Sequence, residues 1–280
     1  MANETNTTTL NDLVPEIIVE AMFQAEERSL MAGLVKNYSL PFGSGKTIDV
    51  PIYSAVSAAA VAEGTDLANT AISTGVATLT VGEVGIMATV TDVARDISTQ
   101  NVISDVGRLF GEAIARKQDR DLTALFAGFS VALGDGTTAM TAAAIFQAVA
   151  QMKALGLDPS GISCVINPEI AYDLNSSMTN TYAGLASDSS NEAMRQGYVG
   201  TLAGIPIYET SNVVSTAGDS VGGVFHRDAL GLASLRGISI EPQRDASLRA
   251  TELVATAVYG VGELNDTYGV GMSYDSSISN

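Results

Sequence analysis

Apolar residues recur at three- and four-residue steps through Ile17, Ile18, Ala21, Met22, Ala25, Leu30, Leu34 and Val35, while Glu16, Glu20, Glu26 and Glu27 take the other face. That period predicts an amphipathic helix. Pro15 opens it, since its fixed φ suits a first helical turn. Residues 1–11, rich in Thr and Asn, predict an extended arm. From Asn37 to about Ile97 the helical period disappears, and Thr, Val, Ala, Gly and Ser dominate. Lys46–Tyr53 and Val76–Val93 read as strands, separated by a small, polar stretch, Ala55–Gly75, with Glu63-Gly64-Thr65-Asp66 at its centre. This predicts a long β-hairpin with a loose tip. A two-stranded hairpin is marginal in water on its own, and little in the rest of the chain is left to cover it, so the pattern points outward to a neighbour.

The strongest helical pattern runs from Ser104 to Phe129, with Val106, Leu109, Phe110, Ala113, Ile114, Leu122, Leu125 and Phe126 as its apolar stripe. Arg108–Glu112, Glu112–Arg116 and Lys117–Asp121 are opposite charges four residues apart. The charge run Arg116–Asp121 reads as a solvated face, with an intersubunit or internal ion-pair site as the alternative. Leu133-Gly134-Asp135-Gly136 is a turn, and Thr141 caps a helix that carries Ile145, Ala148, Val149, Met152 and Leu155 and closes at Gly156. A strand is expected over 162–166, a short helix from Asn167-Pro168 to about Leu174, and a long polar loop over 175–196. Gly200 and Gly204 punctuate a turn into the strand Ile205–Tyr208, and further strands follow near 221–227, 230–235, 238–242, 250–262 and 268–274. Helices and mostly antiparallel strands in separate blocks make an α+β chain.

Charge narrows the possibilities. Only 14 Lys and Arg stand against 31 Asp and Glu, a net charge of −17. A protein that grips nucleic acid needs a basic face, and the cluster Arg116-Lys117 with Arg120 is interleaved with Asp119 and Asp121. Mean hydropathy is positive for so acidic a chain, yet no apolar run reaches the ~20 residues of a membrane span. The N-terminus lacks the pattern of a signal peptide, so a soluble protein made in a cytoplasm is expected, with much of its surface buried against other subunits. One Cys, Cys164, and one His, His226, cannot build a disulfide or a Cys/His zinc site. Cys164 sits in an apolar strand pattern and reads as a small buried hydrophobe.

No stretch carries the spacing of an active site. Gly43-Ser44-Gly45-Lys46-Thr47 ends like a phosphate-binding loop, but the first glycine that loop requires would fall at Leu40. A strand with a proline, Thr47–Tyr53, follows where the loop needs a helix. His226-Arg227-Asp228 lacks the partners of a kinase catalytic loop, and no Gly-x-Ser-x-Gly elbow presents a serine to His226. Glu26-Glu27, and Glu241 with Asp245, form no spaced calcium loop. No catalytic residue, cofactor or metal is expected. A nucleotide-binding protein using Gly43–Thr47 and a different virion part, such as a tail or decoration protein, are the remaining competitors; the long helix argues against an all-β tail module.

The order of parts nevertheless resembles one family. Residues 13–38 (LVPEIIVEAMFQAEERSLMAGLVKNY) look like the arm and first helix of the major capsid protein of tailed bacteriophages, a fold shared with encapsulin shells. Residues 45–67 (GKTIDVPIYSAVSAAAVAEGTDL) are similar to that family's strand-Pro-strand leading to an Ala-x-x-x-x-Glu-Gly hairpin tip. EVGIMATVTDVARDIS (83–98) looks like the returning strand, and VGRLFGEAIARKQDRDLTALFAG (106–128) like the family's long spine helix. GTLAGIPIYETSNV (200–213) and ATAVYGVGELNDTYGVGMSYD (255–275) resemble its axial and closing strands.

The resemblance implies an arm and first helix over 1–36, an extended hairpin loop (E-loop) over 37–98 and a peripheral domain with the spine helix over 99–155. It further implies an axial domain over 156–239 and returning peripheral strands over 240–280. It implies assembly with itself through hexamers and pentamers into an icosahedral shell around double-stranded DNA, held by non-specific contact, in the virion after assembly in the host cytoplasm. Expected partners are a separate scaffolding protein, a portal, a maturation protease and a decoration protein; the short arm implies no large cleaved scaffolding segment in this chain. An encapsulin-type compartment around a cargo enzyme is the alternative on the same fold. Lys46, Glu63, Asp66, Arg116 and Arg120 are the candidate inter-subunit residues, the acidic hairpin tip meeting a basic group of a neighbour. Lys46 lies at the base of the hairpin, which speaks against the Lys–Asn crosslink some relatives make.

Overall fold

The computed structural model describes residues 29–43, 45–53, 71–93, 102–182, 200–216 and 218–278, with isolated positions between 56 and 69. The arm and the helix expected from Pro15 lie outside these residues up to position 28. The chain then makes one helical turn, α1 (Met31–Leu34), and enters a strand, β1 (Lys36–Ser39). The switch at Val35 has a partner as its cause. β1 pairs in parallel with β11 (Leu230–Asp245), which makes it an edge of a four-stranded sheet rather than the start of the hairpin.

That sheet runs β1-β11-β12-β4, with β12 (Ala250–Glu263) antiparallel to both β11 and β4 (Gly82–Thr91). The stretches expected as two strands near 230–235 and 238–242 form one strand, irregular in register between Ser234 and Ser239. Along β12 the residues Leu253, Ala255, Ala257 and Tyr259 are buried, and the positions between them are partly exposed. This period-2 alternation fits an antiparallel sheet covered on one face. The cover is α2 (Val102–Ala124), which continues as a 3₁₀ turn over Leu125–Gly128 and offers Phe110, Ile114, Leu122 and Phe126. At the far end of the sheet the Arg244 guanidinium grips both oxygens of Asp92 at 2.7 Å, tying β11 to the exit of β4 across β12.

The second sheet runs β5-β13-β10-β6-β8-β7, with β9 (Ser215–Thr216) also on β10. β6 (Ile162–Ile166), β8 (Ile205–Glu209) and β10 (Asp219–His226) are its centre, flanked by β7 (Thr201–Leu202), β13 (Gly269–Tyr274) and β5 (Ala132–Leu133). α3 (Ala142–Ala154) and α4 (Pro168–Tyr182) bury Ile145, Val149, Met152, Ile170 and Leu174 against it. Sheet membership therefore follows other boundaries than the expected domain ranges. α3 belongs with the second core, and β13 returns to the second sheet instead of the first. Asn167 caps α4 through Glu169 N–H at 2.9 Å, as its position predicts, and Gly156 closes α3 at φ 78°. The polar loop expected to begin at 175 is helical to Tyr182, because Leu174 and its neighbours have a core to pack on; positions 183–196 lie outside the described residues. The two cores meet at Phe126, whose ring lies 5.3 Å from that of Phe225 and against bare backbone at Gly223.

The hairpin is shorter than the expected 37–98. β2 (Thr47–Tyr53) pairs with β3 (Thr74–Thr80) alone, and the chain then breaks at Val81 into β4. The break has a local cause. Val81 N–H donates to the Lys46 carbonyl at 2.9 Å, closing the hairpin's base, while the Thr80 carbonyl crosses directly over Gly260 of β12. A Cβ at Gly260 would overlap that carbonyl. Gly260→Ala is therefore expected to cost about 1–3 kcal/mol in urea unfolding, whereas Gly237→Ala, with nothing within 4 Å, should stay within about 0.5 kcal/mol.

Candidate inter-subunit surfaces

The two faces of the β2–β3 hairpin differ in chemistry. Ile48, Leu79, Val50 and Ala77 point inward and join Leu40, Val81, Ala233 and Leu264 in a small core at its base. Thr47, Thr80, Asp49 and Thr78 form the outer face there, with Thr78 donating to Asp49 at 2.7 Å. Further out the outer face turns apolar. Tyr53 is 69% exposed, Val76 62% and Ile72 64%, and Val56 and Val61 are open beyond them. The base is held by its own chain, and the distal half offers apolar surface that nothing in the described chain covers. Gly43 and Gly45, at φ 88° and 96°, turn the chain into the hairpin in a backbone region that L side chains avoid. A strand follows them, as expected, and not the helix of a phosphate loop.

The middle of α2 carries the second surface. Its charge run is not uniformly solvated. Asp119 is completely buried and accepts four hydrogen bonds. Ser29 Oγ (3.2 Å) and Met31 N–H (3.3 Å) reach Oδ1, and Leu30 N–H (3.1 Å) and Asn212 Nδ2 (3.2 Å) reach Oδ2. The carboxylate thus satisfies the free amides at the start of α1, since helix N-termini present unpaired N–H groups, and clamps the 210–213 turn as well. Thr123 Oγ1 lies 3.1 Å from the Asn212 carbonyl, and Asn167 Nδ2 donates to the Val213 carbonyl at 2.7 Å. Burial pushes the Asp119 carboxyl above the usual range against the pull of its donors. The folded protein then holds this proton more tightly than the unfolded chain, so the group's contribution is fullest below the ordinary pKa of 3.8 and fades as the pH rises through its raised value. Two residues on, Asp121 accepts from the Tyr259 hydroxyl at 2.9 Å and pairs with Lys117. Burial, and then this bond, push the Tyr259 phenol up.

The expected inter-subunit residues divide into two groups. Glu63 and Asp66 are exposed at the hairpin tip, and Arg116 and Arg120 are exposed one turn apart on α2. None of these four side chains has a partner among the described residues, and no ion pair joins the two groups there. Lys46 is exposed at the hairpin base and contributes only its backbone carbonyl. Asp119 and Asn212 escape sequence reasoning, because an aspartate inside an Arg-Lys-Gln-Asp-Arg-Asp run carries no mark of burial. Lys36–Asp228 (3.0 Å) and Arg227 Nε on the Val35 carbonyl (3.4 Å) likewise pin the chain at β1 and depend on the fold for their proximity. His226 accepts from Asp228 N–H at Nδ1 (3.2 Å) and stacks edge-on against Tyr268, a structural role.

Asp119→Ala, leaving four donors without an acceptor, is expected to lower stability by about 3 kcal/mol. Asp119→Asn keeps one acceptor oxygen and should lose less. Both are read from urea midpoints at pH 7. Cys164 is fully buried and burial pushes its thiol up to about 12. The native protein should therefore resist a thiol-specific reagent at pH 8, and the urea-unfolded chain should release its one equivalent at once.

Solved capsid structures share this architecture over most of the chain. The capsid of Cyanophage P-SCSP1u superposes with a TM-score of 0.71 at 20% identity, over 89% of each chain. A structure from Mycobacterium phage Che8 gives 0.72 at 22% identity, over 87% of this chain and 90% of that one. The head of Helicobacter pylori bacteriophage KHP40 gives 0.66 at 12% identity, over 86% and 88%. No curated protein matches in sequence. The likeness to these structures carries the fold, the mixed α+β capsid fold of phages. Independently, the profile described as phage capsid protein matches residues 74–271, well over half of the 280. Fold and sequence profile agree, and the chain belongs to the phage capsid protein family.

Proposed function

We propose that this chain is the repeating subunit of a tailed-phage head, assembling through hexamers and pentamers into an icosahedral shell that encloses double-stranded DNA. The observation that carries this reading is the β2–β3 hairpin. It leaves the body with polar residues outward at its base and Tyr53, Val76 and Ile72 exposed further out. Contiguous exposed apolar surface of this kind marks an interaction site, and a repeating subunit supplies the cover from its neighbour. The hairpin is then the extended loop, α2 the spine helix, the β1-β11-β12-β4 sheet the peripheral domain, and the second sheet with α3 and α4 the axial domain. Gly43 and Gly45 are the hinge on which the strap changes angle between subunit environments.

The net charge of −17 suits a container wall that repels the phosphate backbone and lets DNA pack and leave. A scaffolding protein, portal, maturation protease and decoration protein are its expected partners, and assembly takes place in the host cytoplasm. An encapsulin-type compartment on the same fold differs in its contents, so the nucleic acid inside purified particles separates the two. Expressed alone, or with the neighbouring head genes, the protein should give closed shells or five- and six-membered rings by negative-stain electron microscopy and light scattering. A chain still monomeric after co-expression would sink the proposal.

A further inference from the structure

α2 and the second sheet leave an open cleft of ≈ 320 Å³ between them. Ala124, Val213, Val214 and Val221 are among its apolar walls, and Arg120 and Asp219 are its charged lining residues. Val214 is 58% exposed. Arg116 stands one turn before Arg120 on the same helix, also exposed. Acids outnumber bases by 31 to 14 in this chain. Other described cations are engaged: Lys36 with Asp228, Arg108 with Asp105, Lys117 with Asp121, Arg236 with Glu83 and Arg244 with Asp92. The Arg116 and Arg120 side chains have no partner among the described residues despite that excess of carboxylates.

We infer that this cleft is the receptor for the hairpin tip of a second copy, with Glu63 and Asp66 of the tip meeting Arg120 and Arg116 over the apolar walls. The inference rests on the proposed function above and names the place where the strap lands. The tip matches the cleft in both respects. It carries two carboxylates three residues apart, exposed and without a partner among the described residues, next to exposed Val61 and Val56. A phosphate backbone fits less well: nucleic-acid sites gather many cations, and here two arginines adjoin a valine-lined floor that also holds Asp219. Because the pairs would stay partly solvated, added salt should weaken them.

The test is a charge swap read on particles. Glu63→Arg with Asp66→Arg, and separately Arg116→Glu with Arg120→Glu, are expected to cut the assembled fraction roughly tenfold each, since like charges facing across an interface cost several kcal/mol. All four changes together should restore assembly to within about threefold of the unaltered protein. The substituted residues are exposed, so unfolding midpoints of the variants should match the parent. A second readout needs no closed shell. Copies with Glu63→Cys mixed with copies with Arg120→Cys should give disulfide-linked dimers on a non-reducing gel, while the buried Cys164 stays inert. Parent shells with unaffected single-side variants, loss without rescue in the fourfold variant, or no mixed dimers in oligomers or shells would each overturn the inference. Shells that form normally but carry less nucleic acid when Arg116 and Arg120 are reversed would assign the arginines to phosphate instead and overturn it as well. Failure of the parent to assemble at all, with no mixed dimers, would count against the capsid reading itself.

Discussion

A buried carboxylate sets the geometry of this subunit. Asp119 lies in the middle of α2, and its four accepted bonds fix where the N-terminal segment starts, how α1 is capped and where the 210–213 turn sits. An ionised group without water is costly unless each lone pair is used, and here backbone amides and neutral side chains use them. Every one of those donors belongs to an element far away in sequence, so none of these contacts forms until α2 has docked against both sheets. The helix is therefore the member to which the arm, the first sheet and the second sheet are all fastened.

The hairpin shows the opposite arrangement. Its base is over-determined: Leu79 lies in a small core, Val81 closes the strands onto Lys46, and Gly260 leaves room for the Thr80 carbonyl to cross. Its outer half has strand pairing and little else within the chain. A two-stranded ribbon gains too little burial to stand alone, and the apolar residues that would stabilise it face away from the body. Stability at the base and incompleteness at the tip fit a segment whose second half is stabilised by association.

Charge is distributed on the same plan. Ion pairs within the chain link neighbouring elements, as Arg244 does with Asp92 and Lys36 with Asp228. These exposed pairs add little stability individually; they set register at sheet ends. What remains without an internal partner is grouped, with carboxylates at the hairpin tip and arginines on α2. Segregation of this kind steers and registers association more than it strengthens it.

Much of the fold could be read directly from residue order. Period 3.6 marked α2 and α3, Asn167-Pro168 marked the start of α4, and alternation marked β2, β12 and β13, because these signals are local and each element's buried face is written in its own sequence. The order of those elements was enough to resemble the capsid family. Tertiary structure decided the rest. Lys36–Ser39 became a strand because β11 offered an open edge, and α4 continued to Tyr182 because Leu174 found a core. The strand expected over Val76–Val93 split at Val81 where it had to cross Gly260, and β13 joined the second sheet through its pairing with β10. Asp119 sits inside a run of charges that looks solvated from the sequence alone. Its burial depends on donors about ninety residues away in either direction, and only the folded chain brings them within hydrogen-bonding distance.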